Sequence, residues 1–412
     1  MAIRYTNSIE SSEKMVAIDF DGLIRLTAEL VRLPSVYAPE KGRSEAGAAE
    51  LVAQVMRSFG WLVEVDQVAP GRPNVIGTVE GGLPGPTLLF EGHTDVVTEG
   101  SPEHWSFPPF IGDVVDGNIR GRGSADMKSG LAAMIFAVAA LARSGPFPGR
   151  VVVAALVDEE GLMAGVKHFV ASGRAQAIDA AIVGEPEGGE VCAVQKGALR
   201  LRIDAQGKMA HGAMPDKGRN PTPALHDMVS FAASEQRRLQ AAFGHHPLLG
   251  EVWVTPTVFL AGDPLQMNVI PATAWAAFDV RTVPRLDHGE LVARLEEEAA
   301  RLSGLHGVTV TVTVVDDRPP TETQRDSPVV RAVVEAHEEV TGATPPFGGV
   351  PGTTDGTILA RDGRLPVVVY GPGGKWIAHQ ADEHVAVDDL IICAEVYLAA
   401  ARRFLWGGAG GR

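Results

Sequence analysis

Five segments carry residue types suited to hydrolytic or metal chemistry. They are Glu91-Gly92-His93-Thr94-Asp95, Arg122-Gly123-Ser124-Ala125-Asp126-Met127-Lys128, Asp158-Glu159-Glu160-Gly161, Gly184-Glu185-Pro186 and His379-Gln380-Ala381-Asp382-Glu383. Taken singly, each has a plain structural explanation. A His two residues before an Asp is more often a satisfied hydrogen-bonding pair than a ligand, and adjacent Glu159 and Glu160 would ordinarily be solvated. What changes the reading is that all five fall at one edge of one expected sheet. Three unpaired carboxylates gathered there need cations to neutralise them. Neutral His93 and His379 with Asp126, Glu160 and Glu185 would set three negative charges against the four positive charges of two divalent ions. A nitrogen and oxygen ligand set without Cys fits zinc, with cobalt or manganese as substitutes. Asp95 is placed to orient His93 through its other ring nitrogen. Glu159, beside a ligand but not needed as one, is left to act as general base on the attacking water.

The elements that must position these residues alternate helix and strand. Helical periodicity runs over 21–33 and 45–59, and Ser129 opens an Ala-, Leu- and Met-rich helix over 129–142. Short apolar runs at 87–90, 151–157 and 180–183 read as buried strands. The chain is therefore expected to be α/β, with a mainly parallel sheet covered by helices on both faces. In such sheets ligands bind where strand ends and their loops converge, which is where the five segments lie. The middle of the chain changes character. Strands at 199–205, 252–260, 273–280 and 308–315, with helices at 223–240 and 289–302, give the order β-α-β-β-α-β of a ferredoxin-like unit. The expectation is an inserted domain at 197–317 between the two parts, 1–196 and 318–412, of a discontinuous catalytic domain. After it come a helix over 327–341, a strand over 366–370 and a closing helix over 387–404. The final Gly-Gly-Ala-Gly-Gly-Arg reads as a disordered tail.

Bulk composition narrows the partners. The 412 residues exceed one ordinary core, so two domains are expected. Lys and Arg number 36 against 51 Asp and Glu, a net charge of −15 that disfavours nucleic acid and anionic membranes. Only two cysteines occur, so a disulfide framework is excluded. The start of the sequence shows no apolar run of signal-peptide length, no stretch approaches the roughly 20 apolar residues a membrane span needs, and the cytoplasm is the expected location.

The motifs Gly92-His93-Thr94-Asp95-Val96-Val97, Gly121–Lys128, Asp158–Gly161, Gly184–Pro186 and Ala378–Glu383 occur in the order found in a known group. From about residue 21 to 405 the chain resembles the acetylornithine deacetylase, succinyl-diaminopimelate desuccinylase, aminoacylase and carboxypeptidase G family of di-zinc metallopeptidases. The resemblance implies that His93 and Glu185 hold one metal, Glu160 and His379 the other, and that Asp126 bridges them, with a cis peptide to Met127. His384, five residues beyond His379, is the alternative to it as last ligand. Glu159 would be the base and Asp95 the residue that orients His93. The inserted unit would act as a lid and a homodimer contact. Its His211 would stabilise the oxyanion, often across the dimer, although Gly212 stands where relatives commonly have Ser. Asn268 and Arg281 resemble groups that grip the substrate carboxylate, the competing role for Arg281 being an ion pair with Asp279 or Asp287. Gly352, Thr353 and Thr354 resemble a further substrate-binding turn. The implied reaction is hydrolysis of an N-acyl amino acid or related small carboxylate-bearing amide. The alternatives are a carboxypeptidase or dipeptidase on the same site and a non-catalytic metal-binding relative. His104 and His245-His246 are assigned no role.

Overall fold

A computed structural model describes residues 17–407. Residues 1–16, part of the stretch read for a signal sequence, and 408–412, most of the expected tail, lie outside the described residues.

The larger sheet places Leu62–Ala69, Arg72–Glu80, Phe147–Leu156, Gly82–His93, Ala180–Val183, Val367–Val369, Val191–Gln195 and Thr321–Glu322 side by side in that order. Phe347–Val350 also pairs with Val191–Gln195. The four central strands, from Phe147–Leu156 to Val367–Val369, are mutually parallel. Arg72–Glu80 is antiparallel to its neighbours on both sides, and Val191–Gln195 is antiparallel to Val367–Val369 and Thr321–Glu322. The sheet is therefore mixed rather than mainly parallel. The hairpin at 62–80 is absent from the sequence expectation, and its outer strand, Leu62–Ala69, has no buried residue and lies at an exposed sheet edge. An antiparallel neighbour needs only a tight turn, here around Gly71, instead of a crossover helix.

Helices cover both faces. Phe20–Val31, Ala46–Ser58, Ser129–Arg143, Pro328–Thr341 and Val387–Gly407 share one core with the sheet, and Ala164–Ala171 and Gly356–Arg361 pack on the other face. Contrary to the expectation that no stretch approaches a membrane span, Ser124–Arg143 is long and apolar enough to cross one. It is buried in the larger core, and that burial accounts for its apolarity.

Residues 197–318 form a second, four-stranded sheet in the order Trp253–Ala261, Thr273–Thr282, Gly197–Gln206, Thr309–Arg318, antiparallel throughout. Helices Thr222–Phe243 and His288–His306 pack on it around a separate apolar core that includes Leu201, Leu225, Phe278 and Leu295. The order of elements is β-α-β-β-α-β. Asp287 caps the second helix by accepting the Gly289 N–H at 2.6 Å, and left-handed Gly307 ends it.

Candidate metal and catalytic site

The candidate ligands come from chain segments that small residues allow to approach one another. His93 ends the Gly82–His93 strand, and Glu185 follows the parallel Ala180–Val183 strand beside it. Asp126 lies in the turn entering the Ser129–Arg143 helix, with a cis bond to Met127. A Cβ on Gly130, in the first turn of that helix, would lie 2.1 Å from the Gly184 carbonyl oxygen. Only Gly therefore lets the helix start sit against the loop bearing Glu185.

Asp126 stands between two histidines. Its Oδ1 is 3.1 Å from His93 Nε2 and its Oδ2 is 3.3 Å from His379 Nε2. Glu185 Oε1 is 3.4 Å from His93 Nε2, and Glu160 Oε1 is 2.9 Å from His379 Nε2. Two groups of three thus share Asp126: His93, Asp126 and Glu185, and Asp126, Glu160 and His379, with the ligand atoms of each group within 4.8 Å of one another. His384 is not among them. Its strand, His384–Ala386, pairs with Asn118–Arg120, and its Nδ1 lies 2.8 Å from the Asp382 carbonyl oxygen.

The electrostatics fit a pair of cations. Burial, then the Asp126 charge, pushes Glu185 up to about 8 and also raises Glu160. Burial and neighbouring Glu185 hold Glu159 well above the usual carboxylate range. Hydrogen bonds to Asp126 and Glu160 push His379 up to about 10. Burial opposes a charge on His93, but Glu185 and Asp126 outweigh it and raise its pKa. These shifts have one cause, an excess of carboxylates over cations in a buried space. Divalent ions on this nitrogen and oxygen set would remove it.

Asp95 differs from expectation in how it acts. His93 Nδ1 is 2.9 Å from the Asp95 backbone carbonyl, while the nearer carboxylate oxygen is 3.7 Å away. That carboxylate instead accepts the backbone N–H groups of Glu159 at 3.2 Å and Glu160 at 3.0 Å. One residue therefore fixes both the first histidine and the turn that carries the two glutamates. Arg72 reaches the same turn, 2.7 Å from Asp158.

A cleft of about 250 Å³ opens over the site. Gly352, Thr353 and Thr354 line it together with Asp126, Glu159, Glu160, Glu185 and His379. Thr354 is itself buried, its N–H and hydroxyl both donating to Gln195 Oε1. His211, Asn268 and Arg281 do not line the cleft. His211 and the residues after Asn268 share a two-stranded ribbon of the second unit, in which the Gly212 N–H donates to the Asn268 carbonyl at 2.7 Å. Arg281 pairs with Asp279 at 2.6 Å, the competing role weighed for it.

Four buried side chains have no role assigned from sequence. Glu383 Oε1 accepts the N–H groups of Gly123, Ala125 and Asp126 at 3.0–3.1 Å, and its other oxygen pairs with Arg122. Lys128 Nζ donates to the carbonyls of Leu30 and Leu33 at 2.8 and 2.7 Å, and burial lowers its pKa to about 7. Glu91 and Asp355 are buried beneath the site. Burial and the Asp355 charge hold Glu91 well above its usual range, and burial pushes Asp355 to about 7. The sequence signs of this pair are a Glu directly after the apolar run at 87–90 and an Asp directly after Gly352-Thr353-Thr354.

The pattern of Peptidase family M20/M25/M40 matches residues 89–403. A succinyl-diaminopimelate desuccinylase of Methylobacterium radiotolerans is 34% identical over 391 residues, spanning 92% of this chain and 95% of that protein. An M20 family metallo-carboxypeptidase from Sulfolobus solfataricus superposes with a TM-score of 0.75 at 19% identity, over 93% of this chain and 99% of that one. A dinuclear metal-binding peptidase of the same family from Bacillus subtilis superposes with a TM-score of 0.70 at 18% identity, over 94% and 98% of the two chains. With its five motifs converging on one sheet edge, the chain belongs to Peptidase family M20/M25/M40.

Proposed function

We propose that this protein is a metal-dependent hydrolase that cleaves the amide bond of an N-acyl amino acid or a related carboxylate-bearing amide. The observation that carries the reading is the pair of ligand groups sharing Asp126; Glu159, buried beside them, also falls within reach of His93 and Glu160 but is not needed to complete either group. The 34% identity to a succinyl-diaminopimelate desuccinylase favours a deacylase. A carboxypeptidase or dipeptidase is the second reading, favoured by the likeness to a metallo-carboxypeptidase. Both reactions cut an amide beside a free carboxylate.

In this reading His93 and Glu185 hold one divalent ion, Glu160 and His379 the other, and Asp126 both. Zinc suits the donors, with cobalt or manganese as substitutes. Bound there, the ions supply Lewis acidity and make a water acidic enough to ionise near neutral pH. Glu159 takes the proton from the attacking water and returns it to the leaving amine. Its backbone is held by Asp95, so the carboxylate is aimed before substrate arrives. Thr353, Thr354 and Gly352 form the substrate wall.

The unit at 197–317 is assigned as lid and dimerisation domain, and 1–196 with 318–412 as catalytic domain. His211, as oxyanion donor, and Asn268 and Arg281, as carboxylate grips, reach the cleft by lid closure or from a second copy of the chain. Support for a homodimer comes from the edge strand Trp253–Ala261, which exposes Phe259 and Leu260.

The test is the zinc-loaded protein against N-acetyl and N-succinyl amino acids and dipeptides. Hydrolysis of an N-acyl amino acid supports the main reading, and cleavage of dipeptides alone moves it to the second. Inactivity across the panel, with two ions bound, overturns both.

A further inference from the structure

The two candidate ligand histidines are supported differently. His93 is buried, and its Nδ1 is fixed against the Asp95 carbonyl. His379 has a side chain 52% exposed and a backbone φ of 66°. Both of its polar neighbours, Asp126 and Glu160, meet Nε2, and among the described residues its Nδ1 has no hydrogen-bond partner. Metal-binding histidines are normally held through the second ring nitrogen. The direction of His379 must therefore come from its loop.

That loop is fastened by charge on both sides of His379: Glu383, four residues after it, holds Arg122 and the Asp126 turn, and Lys375 acts on the other side. Lys375, four residues before His379, places Nζ 2.5 Å from Glu187, 2.7 Å from Glu190 and 3.5 Å from the Gly349 carbonyl oxygen. An ammonium has three protons, and here they are directed at the Glu185 loop and at the Phe347–Val350 strand. Glu187 lies two residues after Glu185, and Gly349 leads into Val350–Thr354, which lines the cleft. Lys375 lines the same cleft as Glu159, Glu160 and His379. Elsewhere the His379 loop is joined to the Glu185 loop by backbone, the Gly188 N–H donating to the Gly373 carbonyl at 2.8 Å. Glu187, Glu190 and Cys192 have the spacing of a metal group. The ammonium already supplies the cation there, and the Cys192 thiol donates to Glu187 at 3.1 Å.

We propose that Lys375 is a positioning residue that clasps the His379 loop to the Glu185 loop and to the Phe347–Val350 strand, and so fixes His379 for the ion shared with Glu160. The inference rests on the di-metal reading above. The competing role is simple neutralisation of Glu187, which is only 3% exposed and would be costly to leave unpaired. The two roles part in the double variant K375M/E187Q, which leaves no buried acid uncompensated, Glu190 being 36% exposed, but also no clasp.

Metal-stripped wild type, K375M, K375R and K375M/E187Q are titrated with Zn²⁺ by calorimetry, and their thermal midpoints are measured. Wild type takes up two ions. K375M keeps the first at wild-type affinity and loses about 10–100-fold on the second, the range for a residue supporting a ligand. K375R recovers most of that loss. K375M/E187Q regains thermal stability while its second ion stays weak. The proposal is overturned if K375M binds both ions as wild type does, or if the double variant restores the second ion along with stability. A wild-type protein that takes up fewer than two ions, or whose second ion is unaffected by H379A, overturns the di-metal reading itself.

Discussion

The Asp95 carboxylate accepts the backbone N–H of Glu159 at 3.2 Å, so the orientation of the proposed base is set by the residue that also holds His93. Replacing Asp95 with Ala removes the acceptor for Glu159 and Glu160 but keeps the carbonyl that meets His93. D95A is expected to lower kcat by about 10–100-fold, the cost usual for loss of such support. The first ion should remain bound, as checked by elemental analysis beside steady-state kinetics.

Glu159 has a different signature. E159Q keeps the shape and removes the base, so kcat is expected to fall by about 10²–10⁴-fold with metal content unchanged. Activity near the wild-type level would remove Glu159 from the mechanism.

Metal uptake is expected to depend on pH in a definite direction. In the metal-free protein His379 carries its proton up to about 10 and Glu185 up to about 8, so ions must displace protons at pH 7. Apparent affinity rises between pH 6 and about 10, and calorimetry in buffers of different ionisation enthalpy shows proton release. For the metal-free fold the sign of the His379 contribution is opposite. Its pKa is raised above 6.5, so the stabilisation is complete below that value and is lost as pH rises through about 10.

Glu383 holds three backbone N–H groups of the Asp126 turn and pairs with buried Arg122. E383A leaves that guanidinium uncompensated and is expected to cost about 3–5 kcal/mol in denaturant unfolding. E383Q, which retains an acceptor oxygen, should cost less.

Gly130 offers a test of packing. An added Cβ would meet the Gly184 carbonyl at 2.1 Å, backbone against backbone. G130A is expected to cost about 1–3 kcal/mol and to weaken metal binding by shifting the Glu185 loop away from Asp126.

The sequence by itself singled out the candidate residues that the structure brings together around Asp126. His93, Asp126, Glu159, Glu160, Glu185 and His379 stood out because charged residues directly after apolar strands are costly unless they serve a purpose. It also determined the helices and central strands, whose periodicity reports burial on one or two faces. It did not show the Leu62–Glu80 hairpin, whose outer strand lies at an exposed edge and lacks a buried pattern. Nor did it assign Glu383 or Lys375, because each acts on residues far away in the chain. Glu383 reaches back 260 positions to Gly123, and Lys375 reaches back 185 to Glu190. Only the tertiary structure decided that Asp95 presents its carbonyl to His93 and its carboxylate to the Glu159 turn, and that His379 rather than His384 faces the acids. Residue type and spacing fix which groups are available for chemistry. Which oxygen faces which proton depends on backbone direction at the strand ends, and that is set by packing across the whole sheet.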